Sequence, residues 1–117
     1  MNKIIRISVA KDFSIFPAGR FPTDGPHNGE RFRKQQLEPA FKKNPAKIIV
    51  DLDGTRGYGS SFLDEAFGGL VRIGIDPVLI DDRLELVSAD MSLVYEIKQY
   101  IREAAEKIEP PRKTANA

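Results

Sequence analysis

The sequence predicts one α/β domain in which a small mixed β-sheet of about four strands packs against about three helices. Strand-like and helix-like segments alternate along the chain, and one strand-like segment is a continuous apolar run. Apolar residues make up 41% of the 117 residues, which is enough for one hydrophobic core. We predict a single domain over residues 1–109 and a disordered tail over residues 110–117, where polar residues follow two prolines.

The amino-terminal part begins with strand-like segments and continues into a loop. Residues 3–9 are rich in β-branched side chains and predict a first strand. Residues 11–16 predict a short second strand that pairs back on the first. Proline and glycine interrupt any regular element over residues 17–29. Such a long irregular loop in a small domain is typical of a binding loop or a mobile segment.

A helix and a buried strand follow this loop. Asn28 is a predicted helix cap, and Pro45 ends the helix near Asn44. Residues 47–52 contain three consecutive β-branched apolar residues, a pattern typical of a strand covered by helices on both faces. We therefore predict that this is the central strand of the sheet.

A turn-rich segment after the central strand leads into a second helix. The helix is predicted to begin at Ser60 or Ser61, and Asp64 lies at the capping-box position relative to Ser61. Its polar side faces away from the apolar residues that recur at helical spacing.

The rest of the chain predicts one more strand and one more helix. Residues 76–83 fit either a short helical turn or a connector, and residues 84–88 predict a strand. Apolar residues at helical spacing after Asp90 predict a long last helix, which ends before Pro110.

The composition restricts the classes of function. The absence of cysteine excludes disulfides, thiolate nucleophiles and cysteine-bound zinc, and a single histidine gives no basis for predicting a metal ion or cofactor. No apolar run reaches the roughly 20 residues of a membrane span, and no secretion signal is recognisable, so we predict a cytoplasmic protein. Residues 1–50 carry 10 basic and 4 acidic residues, but their scattered pattern disfavours nucleic acid as a partner.

Two aspartates at the end of the predicted central strand suggest an enzymatic alternative. Residues 48–55 (IIVDLDGT) resemble the start of haloacid-dehalogenase-like phosphatases, which use a nucleophilic aspartate, an acid/base aspartate and magnesium. The resemblance assigns these roles to Asp51 and Asp53. The rest of that family's pattern is missing, because the acidic pair at 81–82 precedes Ser88. The other interpretation of both aspartates is turn formation and capping at a strand exit.

The glycine-rich loop offers a candidate site for an anion or a nucleotide. Gly29 precedes a helix start whose backbone N–H groups could face an anion, with Arg20, Arg31 and Arg33 nearby. No phosphate-loop sequence accompanies these residues, and the alternative is a solvated turn beside arginines of a helix face. His27, alone in this loop, fits ordinary hydrogen bonding better than catalysis or metal binding.

Two adjacent glycines in the second predicted helix require an explanation, because each costs on the order of 1 kcal/mol relative to alanine. On a helical wheel Gly69 lies near the packed side, whereas Gly68 lies on the polar side. We infer a smooth docking strip on this side, formed by Ser61, Asp64, Glu65, Gly68 and Arg72. The alternative is that both glycines bring the helix close to the sheet.

The same region carries a resemblance to a known family. Residues 51–54 (DLDG) and 57–70 (GYGSSFLDEAFGGL) resemble bacterial STAS-like domains of unknown function, which are distant relatives of the STAS domain of anti-sigma factor antagonists. The likeness extends to residues 19–20, 29–33 and 100–103. It implies a STAS-like α/β fold and a regulatory role.

The resemblance also implies a modification site. In regulatory STAS domains the turn after the central strand reads Asp-Ser-Ser-Gly, and a kinase-like anti-sigma partner phosphorylates its second serine. This role falls on Ser61, with Ser60 as its neighbour, while Gly59 and Phe62 replace the acidic residue and the glycine of that pattern. The alternative for Ser61 is a plain helix cap.

We therefore predict a non-enzymatic regulatory module, with no catalytic residue, whose partner is a protein such as a kinase-like ATPase of the anti-sigma type. The predicted docking residues are Tyr58, Ser60, Ser61, Asp64, Glu65, Gly68 and Arg72, with the loop from Arg20 to Arg33 beside them. The alternatives are a magnesium-dependent phosphotransferase using Asp51 and Asp53, and an anion- or nucleotide-binding domain.

Overall fold

Three parallel strands form the sheet in the computed structural model, which describes residues 3–108. The strands are β1 (Ile4–Ser8), β2 (Lys47–Asp51) and β3 (Leu84–Val87), and β2 lies between the other two. The predicted central strand is thus confirmed. The predicted mixed sheet of about four strands is wrong, because the described residues form three strands and both strand pairs are parallel. The prediction of about three helices is also wrong, since the described residues form five.

The segment predicted to be a second strand begins instead as a short helix, α1 (Val9–Asp12). The hydroxyl of Ser8 accepts a hydrogen bond from the Lys11 backbone N–H at 3.1 Å, and the Asp12 carboxylate accepts one from the Ser8 backbone N–H at 2.7 Å. These bonds close a turn directly after β1. The chain therefore leaves the sheet there and cannot pair back as a hairpin.

Four further helices follow, two of which contain a π-helical turn. Helix α2 runs through Gly29–Phe32, a π-helical turn Arg33–Leu37 and Glu38–Lys42. Helix α3 runs through Ser60–Leu63, a π-helical turn Asp64–Gly68 and Gly69–Arg72. Helices α4 (Pro77–Arg83) and α5 (Met91–Glu106) complete the described part of the chain.

The predicted helix boundaries are largely confirmed. Asn28 caps α2 by accepting a hydrogen bond from the Arg31 backbone N–H, and Asp90 caps α5 by accepting one from Ser92. Residues 76–83, which fitted a helical turn or a connector, contain α4 with Asp76 as its cap. The predicted tail over residues 110–117 lies outside the described residues.

The helices cover one face of the sheet. The inward side chains of the central strand, Ile48 and Val50, are fully buried and pack in a core with Phe32, Phe62 and Phe67. Burying each of these side chains stabilises the fold by about 1.5–3 kcal/mol. No helix within residues 3–108 covers the other face, so the prediction that β2 is covered on both faces is wrong for the described part of the chain. No helix within residues 3–108 has the length and apolar character needed to cross a lipid bilayer.

Candidate functional site

The loop between β2 and α3 is fixed by Tyr58. Its hydroxyl donates a hydrogen bond to the Leu52 carbonyl at 2.7 Å, and its ring lies 6.0 Å from the Phe62 ring. Burial raises the pKa of Tyr58 to about 12, because the ionised phenolate would lose its hydration. Tyr58, a predicted docking residue, is therefore half-buried and holds the loop in place.

Helix α3 begins at Ser60, and neither serine is its cap. The residue before it, Gly59, occupies the cap position with φ −79° and ψ 148°, and no side chain makes the capping hydrogen bond. The predicted cap at Ser61 is therefore wrong. Ser60 is exposed and Ser61 half-buried, and both lie in the first turn, where the helix dipole favours negative charge.

The two serines border a shallow polar cleft of about 200 Å³ between α3 and α5. Arg20 reaches the cleft from the loop before α2. The lining residues are Arg20, Ser60, Ser61, Asp64, Arg72, Tyr100, Glu103, Ala104 and Lys107. The structure thus brings four predicted docking residues together with Arg20, and adds one wall from the carboxyl-terminal half of α5.

Asp64 holds the outer ion pairs, which we define as its contacts with Arg20 and Arg72. Arg20 Nη1 lies 2.8 Å from Asp64 Oδ2, and Arg72 Nη1 lies 3.4 Å from Asp64 Oδ1. Arg72 also donates to the Asp64 carbonyl at 2.8 Å. The hydrogen bond to Asp64 raises the pKa of Arg20. These contacts tie the glycine-rich loop to the first half of α3.

Glu65 points inward and forms the inner ion pair with Arg33. Its other oxygen, Oε1, lies 3.3 Å from Arg20 Nη1 and 3.8 Å from Arg72 Nη2. Arg33 Nη1 lies 2.7 Å from Glu65 Oε2 and donates to the Glu65 carbonyl at 2.8 Å, while Arg33 Nε lies 2.9 Å from Glu38 Oε2. Burial alone would lower the pKa of Arg33, but the hydrogen bonds to Glu65 and Glu38 raise it above its ordinary value. The inner ion pair therefore joins α2 to α3 inside the protein.

Both glycines of α3 are explained by close packing. A β-carbon at Gly69 would collide with the Arg33 guanidinium, so this glycine makes room for the inner ion pair. A β-carbon at Gly68 would lie 2.8 Å from Asp64 Oδ1 and 3.3 Å from the Tyr100 carbonyl. Gly68 is buried beneath α5. The predicted docking strip is therefore interrupted, because two of its members, Glu65 and Gly68, are not on the surface.

The predicted anion site at the start of α2 is occupied by the protein's own groups. The Gly29 N–H donates to the Gly19 carbonyl at 2.9 Å, and the Arg31 N–H donates to Asn28 Oδ1 at 2.9 Å. Arg31 Nη1 donates to the Pro26 carbonyl, and Arg33 is held in the inner ion pair. This geometry argues against an anion cradle at Gly29.

The aspartates of the DLDG turn also make internal hydrogen bonds. Asp51 Oδ1 accepts from the Asp53 backbone N–H at 2.9 Å, and Asp53 Oδ1 accepts from the Ala89 backbone N–H at 3.0 Å. The interpretation as a turn former at a strand exit is thus confirmed for Asp51, whereas Asp53 instead holds the segment that follows β3. Residues 3–108 contain no group of three or more His, Cys, Asp or Glu side chains placed to share a metal ion.

Sequence reasoning did not find the α5 wall of the cleft. The Tyr100 hydroxyl donates to Glu96 Oε2 at 2.6 Å, and this hydrogen bond raises the pKa of Tyr100 to about 12. In the sequence, Tyr100 has the spacing of the apolar residues that predict α5, and an aromatic ring fits that side of the helix. Tyr100 lies at the edge of the apolar stripe of α5, and Lys107, about two helical turns later, lies on the same side of the helix. This pairing of a tyrosine with a lysine is the sequence signal for a polar surface there.

These features define a small α/β domain with a polar cleft beside the helix that follows its central strand. Residues 28–93 match the model of a family described as a STAS-like domain of unknown function (DUF4325). The match covers more than half of the chain, so the chain belongs to this family. The matched span includes β2, α3 and the Ser60-Ser61 turn. Neither the curated proteins nor the solved structures gave a match.

Proposed function

We propose that the chain is a cytoplasmic, non-enzymatic regulatory module that binds a protein partner at the cleft beside Ser60 and Ser61. The observation that carries the proposal is the position of the two serines. They lie at the first turn of α3 without serving as its cap, next to Arg20 and Arg72. A partner that docks here contacts hydroxyl groups whose loss does not remove a helix cap. Membership of the STAS-like family supports a regulatory role.

We also propose Ser61 as a phosphorylation site, following the resemblance to regulatory STAS domains. A phosphate carries a charge of about −1.5 to −2, which the amino terminus of a helix stabilises. It would compete with Asp64 for Arg20 and Arg72, which lie beside it in the cleft. Phosphorylation would thereby change both the charge and the shape of the docking surface. The partner expected from the resemblance is a kinase-like ATPase of the anti-sigma type.

The binding test uses a candidate ATPase of this type encoded near the gene. Calorimetric titration would compare the wild-type chain with Ser61→Asp and Arg72→Glu. Lys42→Glu, at the exposed carboxyl end of α2, is the matched control for charge reversal. We expect each cleft variant to weaken binding by about tenfold or more and the control to bind as the wild type does. Equal affinities of all four chains would refute the cleft as the docking site.

The modification is tested separately by incubating the chain with the ATPase and ATP and locating phosphoserine by mass spectrometry. Phosphate on Ser61, and its loss in Ser61→Ala, is the expected result. A phosphate found only on another residue would reject Ser61 as the modification site. The docking proposal would not be affected, because the calorimetric titration tests it separately.

The enzymatic alternative is tested in the same preparation. We propose binding rather than catalysis because Asp53 is engaged in holding the backbone that follows β3. Magnesium-dependent hydrolysis of a generic phosphoester that disappears in Asp51→Asn would replace our proposal with a phosphotransferase.

A further inference from the structure

The open face of the sheet is a second surface that the proposed function does not use. Its side chains come from alternate positions of the three strands. Ile4 is 49% exposed and Val87 is 40% exposed, and Ile49 between them is half-buried. Parallel sheets in globular proteins are almost always covered on both faces. A parallel sheet face with apolar side chains that no part of the described chain covers therefore indicates a docking surface.

The strand register arranges these apolar side chains on a diagonal. Arg6 and Glu85 flank Ile49 in one row across the sheet, and Asp51 pairs with Val87 in the next row. In the preceding row Ile4 pairs with Lys47. The line from Ile4 through Ile49 to Val87 thus crosses the face from β1 to β3.

The charges on this face divide along the diagonal. Both cations, Arg6 and Lys47, lie beside its Ile4 end, one on each side. The two strand anions, Asp51 and Glu85, lie beside its Val87 end, again one on each side. A third carboxylate, that of Asp12 in α1, borders the face beside Ser8, away from the diagonal. Within residues 3–108, neither Arg6 nor Glu85 takes part in an ion pair. Their backbones are two strand spacings apart, about 9.6 Å. The face therefore has a cationic half and an anionic half.

Such a pattern is complementary to itself. A second copy can pack face to face on the first. The twofold axis then lies in the plane between the two faces, passes over Ile49 and runs at right angles to the diagonal. In this arrangement the cationic half of each copy covers the anionic half of the other. Arg6 then lies opposite Asp51 of the other copy, and Lys47 lies opposite Glu85. Ile4 lies opposite Val87, and the two Ile49 side chains meet. With strands about 4.8 Å apart and alternate residues about 6.8 Å apart, the strands of the two sheets cross at about 70°, nearer to the orthogonal than to the aligned packing of two sheets.

We propose that the open sheet face binds a second copy of the chain in this arrangement. A face of three strands and five residues measures about 14 Å by 17 Å, which is smaller than the roughly 800 Å² per partner of a stable complex. The association is therefore transient, with a dissociation constant of about 10 μM to 1 mM. It is independent of the cleft beside Ser60 and Ser61.

Sedimentation equilibrium of the full chain, from about 5 μM to about 1 mM, tests the proposal over the range expected for a small interface. Glu85→Lys places a lysine opposite Lys47 twice in each dimer, so we expect the dissociation constant to rise by about tenfold or more. Lys47→Glu should do the same, and the double variant Glu85→Lys/Lys47→Glu should restore wild-type association. Lys42→Glu on α2 is the control, with no expected effect.

Circular dichroism checks that the variants fold, which their exposed positions favour. A wild-type chain that stays monomeric to the highest concentration would overturn the proposal. So would a double variant that associates no better than the two single variants, because the charges would then not face each other. Glu85→Lys should bind the ATPase of the previous section with unchanged affinity, which separates a failure here from a failure of the proposed docking site.

Discussion

The inner and outer ion pairs use the same kinds of charge in different surroundings. Arg33 of the inner ion pair is 5% exposed, whereas Arg20 and Arg72 of the outer ion pairs are 31% and 42% exposed. Removing one partner of a buried pair leaves an uncompensated charge in the protein, whereas water replaces a lost partner at the surface. The inner pair is therefore a structural element of the fold, and the outer pairs can be rearranged by a partner at little cost.

The largest expected effect comes from breaking the inner ion pair. Arg33→Ala removes the shortest ion pair of Glu65 and leaves it only the longer contacts with Arg20 at 3.3 Å and Arg72 at 3.8 Å. We therefore expect a loss of about 3 kcal/mol in the free energy of unfolding, at the lower end of the range for breaking a buried pair. Urea denaturation measures this loss. Arg20→Ala is the control on the outer side. A loss for Arg33→Ala no greater than that for Arg20→Ala would show that burial does not separate the two groups.

A smaller loss is expected at the glycine that makes room for the inner pair. Gly69→Ala places a methyl group against the Arg33 guanidinium, and overpacking of this kind costs about 1–3 kcal/mol. Alanine regains about 1 kcal/mol over glycine in a helix, so the net loss is up to about 2 kcal/mol. The same substitution in the Arg33→Ala chain is the matched control, because the three atoms nearest to the added β-carbon all belong to Arg33. Denaturation midpoints should fall with Gly69→Ala in the wild-type chain and not in the Arg33→Ala chain. An equal change in both would mean that Gly69 does not make room for Arg33.

The two tyrosines extend the comparison to alkaline pH. Burial raises the pKa of Tyr58 from its ordinary 10.0 to about 12, whereas Tyr100 reaches about 12 mainly through its hydrogen bond to Glu96. The fold therefore favours the neutral phenol of Tyr58. This stability is fully present below pH 10 and is lost as the pH rises toward 12. Tyr58→Phe should lose less stability than the wild type between these pH values in urea denaturation. An identical loss in both chains would contradict this assignment.

The smallest effect is expected at the outer ion pairs. Arg72→Ala removes a contact to a partly exposed carboxylate, so the free energy of unfolding should fall by less than about 1 kcal/mol. Added salt should reduce this difference further, because screening weakens pairs that solvent reaches. Thermal denaturation at low and high ionic strength measures both values. A loss as large as that of Arg33→Ala would remove the distinction between the two groups.

The sequence predicted the parts of the fold that depend on local patterns. The apolar run of β2 marked the central strand, Asn28 marked the start of α2, and apolar spacing after Asp90 marked α5. The segment after β1 was misassigned, because the capping bonds of Ser8 and Asp12 favour a helical turn that alternation of polarity does not reveal. The open face of β2 was missed for a related reason. Periodicity shows which residues are apolar and does not show on which side of the sheet the helices lie.

The candidate site was predicted only in part. Ser60, Ser61, Asp64 and Arg72 do border one cleft, and Arg20 lies beside them as expected. The helical wheel places Gly68 on the polar side of α3, which predicts an exposed residue. A wheel of one helix does not show its neighbours, and α5 packs over Gly68 in the structure. Contacts between helices distant in the sequence decide which polar positions stay exposed, and a single sequence does not state them.

The parallel order of the three strands has a consequence for how the chain folds. Ile4 of β1 pairs with Lys47 of β2, and no strand pair can form through a short hairpin. Every pairing must close a long loop first, which slows folding relative to sheets built from neighbouring strands. On the ribosome β1 is synthesised well before its neighbour. We therefore expect β1 to remain unpaired until β2 has left the ribosome. During this time its apolar side chains are exposed and can bind chaperones.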